Sequence, residues 1–495
     1  MKRIEHWIGG RDESGSGTRG GKVFNPATGE QTGEVSYASR ADVDLAVRRA
    51  RDASHRWRAA ALAQRAEILF RFRELVDRHR RDLAQVITAE HGKIASDALG
   101  EVARGLETVN FACGVPHLLK GGFTEQASSG VDVYSIHQPL GVVAGITPFN
   151  FPVIVPMWMF SNAIACGNCF ILKPSEKDPS PSLLLAELWE KAGLPAGVFT
   201  VLQGDRDTVN HLVEHPDIAA VSFVGSTPVA RNVYELATRC GKRVQALGGA
   251  KNHMVVLPDA DVDIAADAAV SAAFGSAGER CMAVAAVVAV GGIADPLVAA
   301  IAERASMLKV GPGDDPQSQM GPLVTADHRD RVASYLDAGA LGGARLVVDG
   351  REPSFQATGF FLGASVVDHV TPGNPVYDEE VFGPVLCVLR AATYEEAIDI
   401  VNRNPYGNGC AIFTRDGGAA RRFQFDVSVG MVGINVPIPV PVAYYSFGGW
   451  KSSMFGDTHM YGPDGIRFYT HVKMVTSRWP DPIDSSIDMG FSSVT

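Results

Sequence analysis

Cysteine is scarce in this chain. Seven cysteines, an odd number, are spread thinly over 495 residues, which excludes a disulfide-stapled scaffold. Cys166 and Cys169 form one CxxC, but no second CxxC follows to complete a zinc site. They read as buried, reduced thiols, and no metal is expected. Long apolar runs are also missing. The longest, around Ala283 to Ala294, is halted by Asp295-Pro296, short of the roughly 18 residues of a membrane span. The opening MKRIEHWIGG reaches Arg11-Asp12-Glu13 without the apolar stretch of a secretory signal. A cytoplasmic protein with no membrane partner is therefore expected. Positive charge is in deficit: 45 basic residues against 55 acidic give a net charge of −10. Such a surface repels phosphate backbones, so no nucleic-acid partner is expected, although a local basic pocket for an anion is compatible with it.

What is present is ordinary globular material. The chain is 46% hydrophobic and 20% charged, so disorder and collagen are excluded. Its length gives roughly three domains' worth of residues. The first hundred residues predict helices over Asp42–Ala60 and Gln64–Glu90. In the second, Ile68, Leu69, Phe72, Leu75, Val76, Leu83, Val86 and Ile87 form one stripe, with arginines on the opposite face. From Gly141, short apolar runs alternate with amphipathic stretches. Val142–Thr147, Cys169–Leu172, Val198–Leu202, Ala219–Val224 and Arg243–Leu247 predict five parallel strands, with helices over Ser180–Ala192 and Val229–Thr238. Right-handed crossovers then put ligands at the carboxyl ends of those strands.

A second alternating region begins near Lys251. Strands are predicted at Val255–Leu257, Val284–Val290, Val385–Leu389 and Cys410–Phe413, and helices at Val262–Ala273 and Pro296–Leu308. Two α/β halves joined around Gly248-Gly249 imply a cleft between them. Gly130–Gln138 and Phe468–Trp479 read as strands outside either half. Paired with each other or with another subunit, they would make an oligomerisation sheet, so a homo-oligomer is expected. The polar tail after Trp479 reads as mobile.

No GxGxxG follows a strand, so the usual dinucleotide fingerprint is absent. Phe223-Val224-Gly225-Ser226-Thr227-Pro228 does follow one: Thr227 is expected to cap the next helix and Pro228 to open it, leaving free amides for an anion. Another strand ends in Leu172-Lys173-Pro174-Ser175-Glu176, where lysine and glutamate could hold ribose hydroxyls. Thr147-Pro148-Phe149-Asn150 ends a third, and Asn150 could supply an oxyanion-hole amide. Glu379-Glu380-Val381-Phe382 combines a carboxylate and an aromatic in a turn. The sharpest feature is Gly275-Ser276-Ala277-Gly278-Glu279-Arg280-Cys281-Met282. Its amides and Arg280 are expected to favour the Cys281 thiolate, which can add to an aldehyde.

In this order the motifs resemble the aldehyde dehydrogenase superfamily over nearly the whole chain. More narrowly, they resemble its CoA-acylating methylmalonate-semialdehyde dehydrogenase branch. Gly278 to Ala283, Gly249-Ala250-Lys251-Asn252-His253, Ile434 to Pro441, and Ser446-Phe447-Gly448-Gly449-Trp450-Lys451-Ser452-Ser453 followed by Phe455-Gly456-Asp457 carry the likeness. It implies two doubly wound α/β domains, a Rossmann-like cofactor domain (1–122 and 142–249) and a catalytic domain (250–466). Segments 123–141 and 467–495 would form a small β oligomerisation element, in a dimer or tetramer. It implies NAD as cofactor and CoA as co-substrate. Cys281 would be the nucleophile, with Asn150 and the Cys281 amide as oxyanion hole. Thr147, Phe149, Lys173, Glu176, Gly225, Ser226, Glu380 and Phe382 would line the cofactor site. Arg104 and Arg280 would hold a substrate carboxylate.

One departure bears on mechanism. Hydrolytic members place a glutamate base in the segment written here Gln245-Ala246-Leu247-Gly248-Gly249. Spacing from Cys281 lands on Leu247, and matching the glycines lands on Ala246; neither is a carboxylate. Water is then a poor attacker of a thioacyl enzyme, whereas CoA brings its own thiol. Two alternatives stand beside this reading: a hydrolytic dehydrogenase using Glu380 or Glu279, and a non-catalytic protein on the same scaffold.

Overall fold

The computed structural model describes residues 2–351 and 358–479, so the tail after Trp479 lies outside the described residues. The first long helix, Arg40–Ala59, starts at a reciprocal cap. Ser39 Oγ accepts the Asp42 amide while the Asp42 carboxylate accepts the Ser39 amide at 2.8 Å. The stretch read as one helix over Gln64–Glu90 is two, Leu62–Arg78 and Arg80–His91, broken at His79. The apolar stripe conceals the break because Val76 and Leu83 are two turns apart and both stay buried. Locally, Asp82 pairs with the His79 ring at 2.7 Å. Arg65 is an exception to the outward arginines: it is buried and donates to the Ala165 and Arg58 carbonyls.

Two sheets carry the rest. The first orders its strands Met454–Phe455, Arg243–Leu247, Ile218–Val224, Val142–Ile146, Cys169–Lys173, Phe199–Val201, His6–Trp7, Asp12–Glu13. The five central strands are parallel; the outer three pair antiparallel. The chain runs outward from Val142–Ile146 through Cys169–Lys173 to Phe199–Val201, then returns to the other side with Ile218–Val224. The order therefore reverses between Val142–Ile146 and Ile218–Val224, and a crevice opens beyond their carboxyl ends. The second sheet is ordered Arg345–Val348, Ser365–Asp368, Val385–Ala391, Val284–Val290, Asn252–Val256, Gly409–Phe413, Met431–Ile434, and is parallel except at its first strand. Near-continuous runs of valine and alanine, as in Val284–Val290, suit strands covered on both faces.

Only four residues separate Arg243–Leu247 of the first sheet from Asn252–Val256 of the second. In consequence the carboxyl ends of the first sheet face the amino ends of the second. A separate three-stranded antiparallel sheet joins Phe123–Ser128, Val131–Pro139 and Thr470–Arg478. Val131–Pro139 pairs with Thr470–Arg478 over nine residues, whereas Phe468 and Tyr469, expected in that strand, close the preceding helix. Among the described residues no helix is long and apolar enough to cross a membrane.

Candidate active site

The crevice at the reversal point has a volume of about 620 Å³ and is lined by Thr147, Phe149, Lys173, Glu176, Gly225 and Ser226 among others. All six residues assigned to a cofactor at this end of the first sheet thus share one cavity. Lys173 donates to Glu176 at 3.2 Å. Burial works to raise the Glu176 carboxyl, but Lys173, its own amide and Lys177 outweigh it and hold it below its ordinary range. Helix Thr227–Arg239 opens at the crevice. Its cap position is Ser226, not Thr227 as the sequence suggested. Thr227 Oγ1 instead accepts the Gly249 amide at 2.8 Å, tying the helix start to the link between the sheets. The helix amides therefore meet the crevice without a side-chain cap, as a pyrophosphate would require. A dinucleotide fits this set: a carboxylate–lysine pair at the ribose end and free helix amides at the phosphates.

Cys281 sits at the amino end of strand Val284–Val290. Helix Val262–Phe274 ends in the turn Gly275–Gly278, where Ser276, Ala277 and Gly278 have φ of 51°, 53° and 73°. Left-handed backbone costs a side-chain-bearing residue roughly 1–2 kcal/mol, so two such residues need holding. Asp97 supplies the hold: Ser276 N and Oγ donate to its Oδ2 at 3.0 and 3.1 Å, and Arg280 Nη2 to its Oδ1 at 2.8 Å. The Cys281 carbonyl is gripped by Asn252 Nδ2 at 2.9 Å and Asn408 Nδ2 at 3.2 Å. Both asparagines belong to neighbouring amino ends of the second sheet.

Cys281, Arg280, Glu380 and Phe382 line a small common cavity of about 30 Å³. Glu380 accepts the Ala250 amide at 2.9 Å, and Lys251 Nζ fixes its loop through the Val376 and Glu379 carbonyls at 2.6 and 2.8 Å. A Cβ at position 249 would lie 2.2 Å from Glu380 Oε2, so any larger residue there would displace that carboxylate. Phe149 meets Phe382 edge-on, ring centroids 5.9 Å apart, so the two cavities adjoin. Asn150, one residue on, is buried.

The expected thiolate does not follow from this environment. Burial, and next the Glu380 charge, push the Cys281 thiol up to about 12; its own amide, that of Met282 and Arg280 oppose this and lose. The sequence shows the adjacent arginine but not that Asp97 engages its guanidinium, nor that a carboxylate distant in sequence shares the cavity. Burial likewise raises Glu380 to about 7. Glu279 is fully buried between His91 and His328, at 3.7 and 3.4 Å, and burial raises it to about 8.

Arg104 stands apart from that cavity, on helix Ala95–Cys113, paired with Glu107 at 2.9 Å. Between the two stands Tyr461, whose phenol is pushed up by burial, with the charge of Arg104 opposing that shift and Cys281 adding to it. Trp158, Phe447 and Tyr461 form an aromatic group there, with centroids 4.9 to 6.2 Å apart. The sequence reading passed over Asp97, Asn408, Lys93, Glu101 and Tyr461. Glu101 had left a signal: it interrupts the buried stripe Ala98, Val102, Gly105, Leu106 and Val109. Among the described residues no group of three or more His, Cys, Asp or Glu could hold a metal ion.

A doubly wound crevice with room for a nucleotide, opening beside a half-buried thiol, is the architecture of a dehydrogenase. The aldehyde dehydrogenase family model matches residues 13–475, and the chain belongs to that family. It is 52% identical over 483 residues to the malonate-semialdehyde dehydrogenase of Pseudomonas aeruginosa, covering 97% of each chain. A methylmalonate-semialdehyde dehydrogenase structure from Oceanimonas doudoroffii superposes with a TM-score of 0.95 at 52% identity, covering 97% of this chain and 99% of that one. A Sinorhizobium meliloti 1021 protein, proposed to be a methylmalonate-semialdehyde dehydrogenase and solved with NAD, gives 0.97 at 51% identity, covering 98% and 99%.

Proposed function

We propose that the protein oxidises malonate or methylmalonate semialdehyde with NAD and passes the acyl group to CoA, releasing CO2 or bicarbonate. Residues 1–122 and 142–249 serve as the cofactor domain and 250–466 as the catalytic domain. The Cys281 sulfur adds to the aldehyde carbon, and Asn150 with the Cys281 amide receives the oxyanion. Bound NAD supplies the acceptor for the hydride that leaves that carbon. Lys173 and Glu176 hold the adenosine ribose, Gly225 and Ser226 face the pyrophosphate, and Glu380 holds the nicotinamide ribose beside Phe382. The product on the enzyme is a thioester with a carboxylate β to its carbonyl. That carboxylate leaves as CO2 because the carbonyl accepts the electron pair, and the α-carbon of the resulting enolate then takes a proton from solvent to give the acetyl or propanoyl thioester. The CoA thiol then attacks, and the Cys281 sulfur departs. Arg104 and Arg280 bind the substrate carboxylate, an arginine fork being suited to it; Arg280 must exchange Asp97 for the substrate.

One observation carries the choice of CoA over water. Strand Arg243–Leu247 ends in Ala246 and Leu247, both buried, so neither position offers a base. A second reading, hydrolysis with release of free acid, draws on Glu380, whose carboxyl near 7 shares the Cys281 cavity. Mass analysis of products with NAD and either semialdehyde, with and without CoA, separates the two. Acetyl-CoA or propanoyl-CoA is expected with CoA, and negligible turnover without it. A free dicarboxylic acid formed at full rate in both arms refutes the proposal. Cys281→Ala abolishes NADH formation in either case.

Assembly through the three-stranded sheet is part of the same proposal. Phe123 and Met474 on that sheet are 67% and 69% exposed, and an apolar surface of this kind suits a contact between copies. Light scattering on the purified protein is expected to give a dimer or tetramer.

A further inference from the structure

The segment that carries Asn150 is held from behind by a buried ion pair. Lys93, just after helix Arg80–His91, and Glu101, within helix Ala95–Cys113, both have fully buried side chains. Lys93 Nζ donates to Glu101 Oε2 at 2.7 Å and to the Asn150 carbonyl at 2.7 Å. It also lies 4.4 Å from the centre of the Phe151 ring. The other oxygen, Glu101 Oε1, accepts the amides of Val153 at 2.8 Å and Ile154 at 3.2 Å. Those amides open helix Ile154–Ala165, whose cap residue Val153 offers no side-chain acceptor. A carboxylate at that point satisfies the free amides and suits the positive end of the helix.

The four residues from Asn150 to Val153 are thus gripped at both ends by one charge pair. Fixing the Asn150 carbonyl fixes the peptide plane that follows it, which limits how the Asn150 Cα–Cβ bond can turn. The supporting helix packs closely against its neighbour: a Cβ at Gly105 would lie 2.4 Å from Met157 Sδ and 3.5 Å from Ile154 Cα. Arg104 stands three residues beyond Glu101 on that helix. One of the two arginines proposed to bind the substrate carboxylate and the residue proposed to bind the oxyanion are therefore referred to one helix.

We infer that Lys93 and Glu101 are positioning residues that aim the Asn150 carboxamide at the tetrahedral oxyanion. The inference rests on the roles given above to Cys281 and Asn150. A structural pair would only stabilise the fold, whereas a positioning pair speeds the step that forms the oxyanion and acts through Asn150 alone. The test is a double-mutant cycle read by single-turnover NADH formation at saturating NAD and semialdehyde. Asn150→Ala is expected to slow that step by about 10²–10³-fold, the usual effect of losing one oxyanion donor. Glu101→Gln keeps an acceptor for the Val153 amide but uncouples Lys93; about a tenfold to hundredfold loss is expected in kcat, with KM changed less than about threefold. Added to Asn150→Ala, Glu101→Gln should cost less than about threefold more.

Losses that multiply in the double variant overturn the inference and leave the Asn150 reading intact. An Asn150→Ala enzyme of unchanged rate overturns both. Should Glu101→Gln not fold, Lys93→Met with Glu101→Leu removes both charges and strands neither. In that protein the same cycle applies, and equal losses with and without the Asn150 side chain again refute the inference.

Discussion

Glu279 tests whether the site's buried charges are understood. Its carboxyl is fully buried two residues before Cys281, with Oε1 accepting the Val324 amide at 3.3 Å. Burial raises it from 4.5 to about 8, against the pull of that amide, Lys177 and Lys93. The adjacent histidines do not supply a counter-charge. Burial and then Lys93 hold His91 well below its usual range, and burial lowers His328 to about 4 although its ring bonds the Phe382 carbonyl. The folded protein therefore keeps the Glu279 proton at pH 7, and the unfolded chain has lost it. Between pH 4.5 and 8 the native state binds one more proton than the unfolded state, so this group's contribution falls as pH rises. At 1.36 kcal/mol per pH unit, the loss across the window is about 5 kcal/mol. Glu279→Gln removes the titration while keeping the volume. From about pH 5.5 to about pH 8 the variant should gain about 3 kcal/mol on the parent. That is about 3 °C in Tm if the whole chain melts as one unit, and more if the half bearing Cys281 melts alone. Melting both proteins across that range isolates the effect, since every other group titrates in both. A Tm gap that stays constant with pH would mean that Glu279 is ionised when folded, and the charge assignment around Cys281 would be wrong.

Two further outcomes are expected. With the Cys281 thiol near 12, about one molecule in 10⁴ is thiolate at pH 8. Glu380→Gln removes the second cause of that shift and should raise the rate of iodoacetamide alkylation at Cys281 by about tenfold at pH 8; an unchanged rate refutes the proposed pressure of Glu380 on the thiol. Arg104→Ala and Arg280→Ala should each lower kcat/KM for malonate semialdehyde by about 10–100-fold, the worth of a hydrogen bond to a charged group, while propanal turnover stays within a few-fold. Equal losses on both aldehydes would remove these arginines from carboxylate binding.

Much of the fold was legible because its strands are buried on both faces. Val284–Val290 and Arg243–Leu247 begin and end where the apolar runs do. Edge strands were not legible: His6–Trp7, Asp12–Glu13 and Met454–Phe455 have two residues each and exist through their pairing with the sheet. The cofactor crevice was legible as well, since its lining residues follow strands within a few positions, and strand topology alone brings Thr147, Lys173 and Gly225 together. The electrostatics of Cys281 were not. Its neighbours in sequence suggested a stabilised thiolate, but the strongest influences on the sulfur are burial and Glu380, 99 positions away in the numbering. Contact between the amino ends of two different strands leaves no trace in local spacing.

That arrangement bears on how a thiol so disfavoured as an anion would act as the proposed nucleophile. A thiolate stabilised by permanent cations would be abundant but weakly nucleophilic, since nucleophilicity falls with thiol acidity. Cys281 takes the opposite course. Its carbonyl is pinned by Asn252 and Asn408, its preceding turn by Asp97, and its sulfur is kept mostly protonated. Positive charge brought near the sulfur would favour the thiolate, and oxidised nicotinamide is a cation. Attack by water on the proposed thioester is disfavoured because no carboxylate stands at Ala246 or Leu247 to draw a proton from it. A second thiol needs less help, since it ionises far more readily than water. On this view loss of the strand-end base is what would reserve the proposed acyl enzyme for CoA.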